Sequence, residues 1–321
     1  MLSARLRLAL LLPALLLLAA PVRAGDKVET KFTRFVEAED EGQASTLQVA
    51  YATYRSKDTD VELVLYGAVH IADKAYYKAV QKDLDACDVV LYEGVSASPD
   101  MKPDETMKSI GEMQTTMGQM LGLTFQKDGI NYKAKNLVHA DMTAEELLKA
   151  TDGDISKALP GMDMFKNPET MKMLKPMLKM MKGMKLPPMM RDPLKLQMAK
   201  QLANADMASL PGGDDAMKIL VGERNKVALK VLDSELAKRK TGRIAIFYGA
   251  AHMKDFHARL GDKGWTQKSV SWNNAWTIGG DKPKDDDEPK QPKKHPRTTD
   301  EDESRTPAPS DERDGVKRRW F

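Results

Sequence analysis

Cysteine is nearly absent: Cys87 stands alone among the 321 residues, so the chain cannot close a disulfide on itself. It falls in helical step with Tyr76, Val80 and Leu84 and reads as a small buried hydrophobe rather than a nucleophile. A surplus of one charge is missing as well. The chain carries 50 basic and 47 acidic residues, and Arg5, Arg7 and Arg23 belong to a segment expected to be removed. What remains is formally neutral, which gives no electrostatic reason for a nucleic-acid partner. Long apolar runs are confined to residues 8–20, interrupted by Pro13 and shorter than the roughly 20 residues that span a bilayer. With Arg5 and Arg7 before it and Val22-Arg23-Ala24 after it, this run has the pattern of a secretory signal covering residues 1–24. The mature chain is therefore expected to start at Gly25 and to be exported, to a periplasm or to the outside. No cysteine follows the run to carry a lipid anchor. Histidine is scarce too, with five copies in all.

Two of those five sit in a repeated octapeptide. Residues 66–73 read Tyr66-Gly67-Ala68-Val69-His70-Ile71-Ala72-Asp73, and residues 248–255 read Tyr248-Gly249-Ala250-Ala251-His252-Met253-Lys254-Asp255. Each copy follows a short apolar run and precedes a helical pattern. Turn chemistry accounts for part of it, with Gly67 and Gly249 as structural turn residues and Asp73 and Asp255 as helix caps. It does not account for the matched histidines, which two strand exits would bring to one crevice.

The rest of the chain reads as an α/β fold, α+β at its N-terminal end: a mixed sheet flanked by helices. Residues 31–38, 46–55 and 62–66 form an opening antiparallel meander, with Val49, Tyr51 and Thr53 on one face of the second strand. A helix from Asp73 to about Ala86 and the run Asp88-Val89-Val90-Leu91-Tyr92 complete a βαβ unit, whose crossover is expected to be right-handed. Asn136-Leu137-Val138-His139 is a further strand, and Thr143 with Glu146 forms a capping box behind it. A long helix covers residues 215–240 and stops at Gly242, and a last strand lies near residues 268–272. Residues 25–279 thus form one domain, with a Met-rich helical insertion over about 101–214. From Gly280 to Phe321 come 11 Lys/Arg, 12 Asp/Glu and six prolines without a periodic apolar face, the composition of a disordered charged tail.

In open α/β sheets ligands bind beyond the carboxyl ends of the parallel strands. Here that edge receives His70, Glu93, His139 with Asp141, and His252. Glu93 directly follows its apolar run, and its coincidence with the two histidines favours a site role. His139 and Asp141 are secondary candidates, since a strand end leading into a helix cap explains them as well. His257 is five residues beyond His252, off the helical spacing of a metal pair, and reads as structural. Arg224 lies in the apolar stripe of the long helix with Leu220, Val227 and Val231. A buried guanidinium needs an anion. It is either a functional group or half of a structural salt bridge, with Glu93 as the natural partner.

Gly67-x-x-His70, Tyr92-Glu93 after a strand, Glu223-Arg224-Asn225 on a helix and Gly249-x-x-His252 together resemble the TraB/PrgY/GumN superfamily. That group is related to the Tiki metalloproteases and, more remotely, to erythromycin esterases and haem-binding ChaN proteins. The likeness spans residues 30–279. It implies an α/β fold with a helical insertion and a site built from the two histidines, Glu93 and Arg224; it implies metal-dependent hydrolysis more loosely. Residue chemistry is compatible. Two imidazoles and a carboxylate (His70, His252, Glu93) suit a divalent ion such as zinc, manganese or iron with a position open for water. Glu93 can instead act as general base, Arg224 as oxyanion stabiliser, and a metal-free variant uses one histidine as base. The expected function is metal-dependent hydrolysis of a peptide or ester bond. The alternative is an envelope protein that binds a metal, haem or an apolar peptide in the same crevice without turnover.

Seventeen of the 21 methionines fall between Met101 and Met198. Over residues 169–185, Lys172, Lys175, Lys179 and Lys182 recur at helical spacing opposite Met173, Met177, Met180 and Met184, with Pro176 as a kink. The first reading is an adaptable helical subdomain with a methionine core. A flexible groove for apolar substrates, thioether binding of copper(I), and contact with a membrane surface are the others.

Overall fold

Runs rich in Val, Ile, Leu and aromatic residues become strands, and apolar residues three and four apart become helices that cover them. The computed structural model describes residues 31–95, 105–153, 167–204 and 217–280. The signal pattern of residues 1–24 and the charged segment beyond Gly280 lie outside the described residues.

The opening meander is β1 (Thr33–Val36), β2 (Ser45–Arg55) and β3 (Asp60–Ala68), with β2 antiparallel to both neighbours. After a two-residue strand, β4 (Ile71–Ala72), comes α1 (Lys74–Asp85), which buries Tyr76, Tyr77, Val80 and Leu84. β5 (Val89–Tyr92) follows, then α2 (Glu105–Leu121), β6 (Thr124–Phe125) and α3 (Gln126–Gly129). β7 (Leu137–His139) leads into α4 (Ala144–Ala150), and the capping box between Thr143 and Glu146 is formed. The helices α5 (Pro168–Met181) and α6 (Pro188–Asn204) complete the insertion, which β7 divides by joining the main sheet. A π-helical turn (Lys218–Glu223) runs directly into α7 (Arg224–Lys238). Then come β8 (Thr241–Gly249), a 3-10 turn (Ala250–His252), α8 (Met253–Asp262) and β9 (Thr266–Ile278).

The main sheet has the order β1-β2-β3-β8-β5-β7, with β9 paired antiparallel along β2. β3, β8, β5 and β7 are mutually parallel, so their carboxyl ends share one edge. The sheet is mixed and flanked by helices, as expected. The βαβ unit of β3, α1 and β5 is parallel, but β8 lies between its two strands. Both faces are buried. Val64, Tyr66, Val90, Tyr92, Ala245 and Phe247 pack against α1 and Ala199 of α6. On the other face, Leu63, Leu65, Leu91, Ile244, Ile246 and Tyr248 pack against α7 and α8. Two covered faces explain why these strands read as nearly continuous apolar runs. In β2, Val49 is fully buried together with Ala50, Ala52 and Tyr54 of the other face, while Tyr51 and Thr53 are partly exposed.

Several local expectations need correction. Gly242 does not stop the long helix; it lies inside β8 with φ 110°, and a Cβ there would come within 2.5 Å of the Asp88 carboxylate. That carboxylate accepts a hydrogen bond from the Arg243 N–H (2.7 Å). The last strand is longer than residues 268–272 because β2 offers a partner along its whole length. Gly67 lies within β3, not at a turn: a Cβ would meet the Ala50 carbonyl oxygen at 2.9 Å and Val49 Cγ1 at 3.0 Å. Asp73 precedes α1 without capping it through its side chain; its carboxylate accepts from the Thr277 N–H (2.6 Å) and pairs with Lys195 (3.5 Å). The methionine-core reading holds only in part. Met142 is buried, but Met173, Met177, Met180, Met184, Met189 and Met190 are exposed.

Candidate active site

The exits of the four parallel strands carry the residues singled out in the sequence, and two α1 tyrosines hold the first of them. Tyr76 donates to the Gly67 carbonyl (3.1 Å) and Tyr77 to the Val69 carbonyl (2.6 Å). The Gln126 N–H donates to the His70 carbonyl (2.8 Å), and Trp276 Nε1 donates to that of Ile71 (2.7 Å). The backbone around His70 is thus fixed from three sides, while its imidazole is exposed and makes no hydrogen bond to any described residue.

Beside it lies a buried ionic cluster. Arg224 is 8% exposed. Its Nε donates to Asp141 Oδ1 (2.9 Å), and its Nη2 donates to Asp141 Oδ2 (2.6 Å) and Glu93 Oε1 (2.7 Å). Nη1 makes only a long contact, 3.5 Å, with the Leu220 carbonyl. The fork against Asp141 is bidentate, the geometry in which an arginine is not replaced by a lysine. Glu93 Oε2 accepts from the Gly249 N–H at 2.6 Å. Gly249 has an ordinary φ of −52°, so its smallness serves this contact: a Cβ would stand 3.2 Å from Glu93 Oε2.

His252 is the second imidazole, 5% exposed and in edge contact with Tyr248. Asn225 fixes its tautomer. The Asn225 amide nitrogen donates to the His252 carbonyl (3.1 Å) and to Asp255 Oδ2 (2.8 Å), so the amide oxygen is what meets His252 Nδ1 at 2.7 Å. Nδ1 therefore carries the hydrogen. Nε2 faces Glu93 Oε1 at 3.5 Å, and a proton there makes the contact an ion pair. Asp255 lies in the first turn of α8, tied to Asn225 and Arg259.

The secondary candidates act on the backbone. Asp141, whose side chain is fully buried, accepts from the Gly94 N–H (2.8 Å) and the Met142 N–H (2.7 Å). His139 Nε2 donates to the Gly94 carbonyl. Together they hold both polar groups of the residue after Glu93. His257 bonds the Tyr54 hydroxyl (2.8 Å), and Cys87 is buried with its thiol pKa pushed up to about 11 by burial.

Electrostatics distinguishes the groups. Burial alone would raise the Glu93 pKa, but Arg224, His252 and His70 outweigh it and hold the carboxyl well below its ordinary value. Arg224 loses hydration on burial, and Glu93 and Asp141 more than restore its preference for the charged form. For His70, desolvation by the surrounding protein lowers the pKa against the pull of Glu93, and Arg224, His252 and Lys127 add to the lowering. His70, Glu93, Arg224 and His252 therefore lie within electrostatic reach of one another.

Among the described residues no three His, Cys, Asp or Glu side chains form a group able to hold a metal ion. At Glu93 one oxygen accepts from Arg224 and the other from the Gly249 N–H.

Sequence reasoning quoted Asn225 only as part of a motif and Tyr76 only as a stripe residue, and it missed Tyr77 and the π turn. The π turn widens the helix just before Arg224, and the adjacent Arg224 and Asn225 are both buried. Two consecutive polar residues on a helix beside an apolar stripe were the available signal for Asn225. The open groove between α7 and α8, lined by Lys226, Lys230, Asp233, Arg259 and Lys263, holds none of these groups. Compared with protein-family models, with curated proteins and with solved structures, the chain matches none.

Proposed function

We propose that this crevice hydrolyses an acyl bond, in a peptide or a small ester, with His70 as general base toward water. The observation that carries the reading is an exposed His70 imidazole, unbonded among the described residues, within electrostatic reach of Glu93, a half-buried anion held by Arg224 and the Gly249 N–H. His70 takes a proton from water as its oxygen attacks the carbonyl carbon. The imidazolium then returns that proton to the leaving alkoxide or amine, and the acid and the alcohol or amine depart. Glu93, kept ionised by Arg224, favours the transient imidazolium. Arg224 Nη1, whose one described contact is long, is the donor free to meet the developing oxyanion. His252, oriented by Asn225, faces Glu93 from the other side.

Saturation of the cluster favours a second reading. Three of the five guanidinium N–H groups are already engaged in short bonds, as in a structural support under a binding crevice without turnover. A panel of chromogenic esters and fluorogenic peptides, run with and without chelator, separates the two. Turnover that His70→Ala abolishes supports hydrolysis. Tight binding without turnover supports the second reading.

A further inference from the structure

The site does not use the most unusual surface of the molecule. In α5, Met173, Met177 and Met180 stand at i, i+4 and i+7, within an arc of about 60° at the helical step. They are 77%, 46% and 74% exposed. Leu178 is the buried anchor of that helix, so the methionine stripe lies beside the face that packs and not on it. Met184 follows the helix at 49% exposed, and Met189 and Met190 at the start of α6 are 83% and 58% exposed. Six of the eight exposed large hydrophobic side chains among the described residues fall between residues 173 and 190.

Its surroundings carry one sign. Lys172, Lys175, Lys179, Lys182, Lys185 and Arg191 fall between residues 168 and 192, against Glu169 and Asp192. Those two acids stand at the ends, at 4.0 Å from Lys172 and 2.8 Å from Arg191. A chain that is neutral once residues 1–24 are set aside therefore concentrates positive charge in the segment that carries these exposed methionines. A protein groove would supply one shape and one pattern of acids. Unbranched thioether side chains beside exposed lysines suit a partner without fixed shape.

We propose that α5 and the start of α6 form a docking surface for an anionic lipid bilayer, with the methionines entering the headgroup–acyl boundary and the lysines contacting the headgroups. Export toward an envelope would present the protein to such surfaces, but the inference stands on the patch alone and is independent of the chemistry at His70.

Co-sedimentation with vesicles tests it. Purified protein should pellet with phosphatidylcholine vesicles containing phosphatidylglycerol and bind pure phosphatidylcholine at least about tenfold more weakly, and added salt should weaken the first interaction. The combined variant Met173→Ser, Met177→Ser, Met180→Ser and the combined variant Lys172→Glu, Lys175→Glu, Lys179→Glu should each lose binding, with circular dichroism unchanged because every one of these side chains is exposed. A Met177→Trp variant should show a blue-shifted emission on anionic vesicles. No pelleting with anionic vesicles overturns the proposal. So does pelleting that both variants leave unchanged. A methionine variant that instead dissociates a dimer on gel filtration overturns it in favour of a second copy of this chain.

Discussion

Gly67 lies opposite Tyr248, not opposite Gly249, where β3 and β8 run parallel. The two copies of the repeat are neighbours in the sheet but slipped by one residue, and in a strand one residue exchanges the faces. Tyr66 therefore enters the core beneath α1, stacked on Tyr51, while Tyr248 enters the opposite core and donates to the Ala140 carbonyl. The exits differ as well: the chain after Ala68 passes into β4, and the chain after Gly249 turns at once into a helix. One motif thus yields two unlike imidazoles, an exposed His70 and a buried His252.

Arg224→Ala should cost about 3–5 kcal/mol of stability, since it leaves Glu93 and Asp141 buried without their cation. Arg224→Lys should recover only part of this, because an ammonium cannot span both carboxylates. Urea unfolding followed by circular dichroism measures both. A loss below about 1 kcal/mol for the alanine variant would mean that the cluster is not the support described.

Acid should weaken the fold in two stages. Glu93 has a folded-state pKa below its ordinary 4.5, so its contribution is complete above that value and is lost as pH falls from there through the folded pKa. His70 has a pKa lowered from 6.5, so the unfolded chain binds its proton first and stability begins to fall below about that pH. Both terms make stability rise with pH. Melting temperatures between pH 3 and 8 should climb and level off above about 6.5. A curve that declines from pH 5 to 7 contradicts this assignment.

Much of the fold was readable because each layer has its own period. The strands were legible as apolar runs, α1 from Tyr76, Val80 and Leu84, and the buried Arg224 from its place among apolar neighbours. The insertion of β8 between β3 and β5 was not, because strand order is decided by distant packing rather than by local sequence. The slip between the repeats has the same origin. The hydrogen-bond partners of Glu93 were not legible either, because no spacing reveals that the Gly249 N–H meets one of its oxygens. The methionines of α5 were misplaced because periodicity marks an apolar face without saying what covers it.

Asn225→Leu should release the tautomer of His252, because the replacement has no oxygen to accept from Nδ1. Nitrogen-15 NMR of the imidazole should show Nδ1 protonated in the native protein and a mixture in the variant. An unchanged spectrum would mean that another group orients the ring.

The two motif glycines should fail differently when replaced by alanine. Gly67→Ala presses on backbone, the Ala50 carbonyl, and should cost about 1–3 kcal/mol. Gly249→Ala presses on the end of Glu93, a side chain that can shift, and should lower turnover more than stability. Paired urea melts and initial rates distinguish the two, and a reversed order would contradict both roles.

The most direct test of the central claim is the pH profile of kcat/KM for native protein and His70→Ala on one responsive ester, measured in chelator. Native protein should reach its plateau through an apparent pKa below 6.5, with chelator without effect, and His70→Ala should lose about a hundredfold or more while keeping its circular dichroism. Full turnover in His70→Ala, or native turnover that chelator abolishes and a divalent ion restores, would contradict the account.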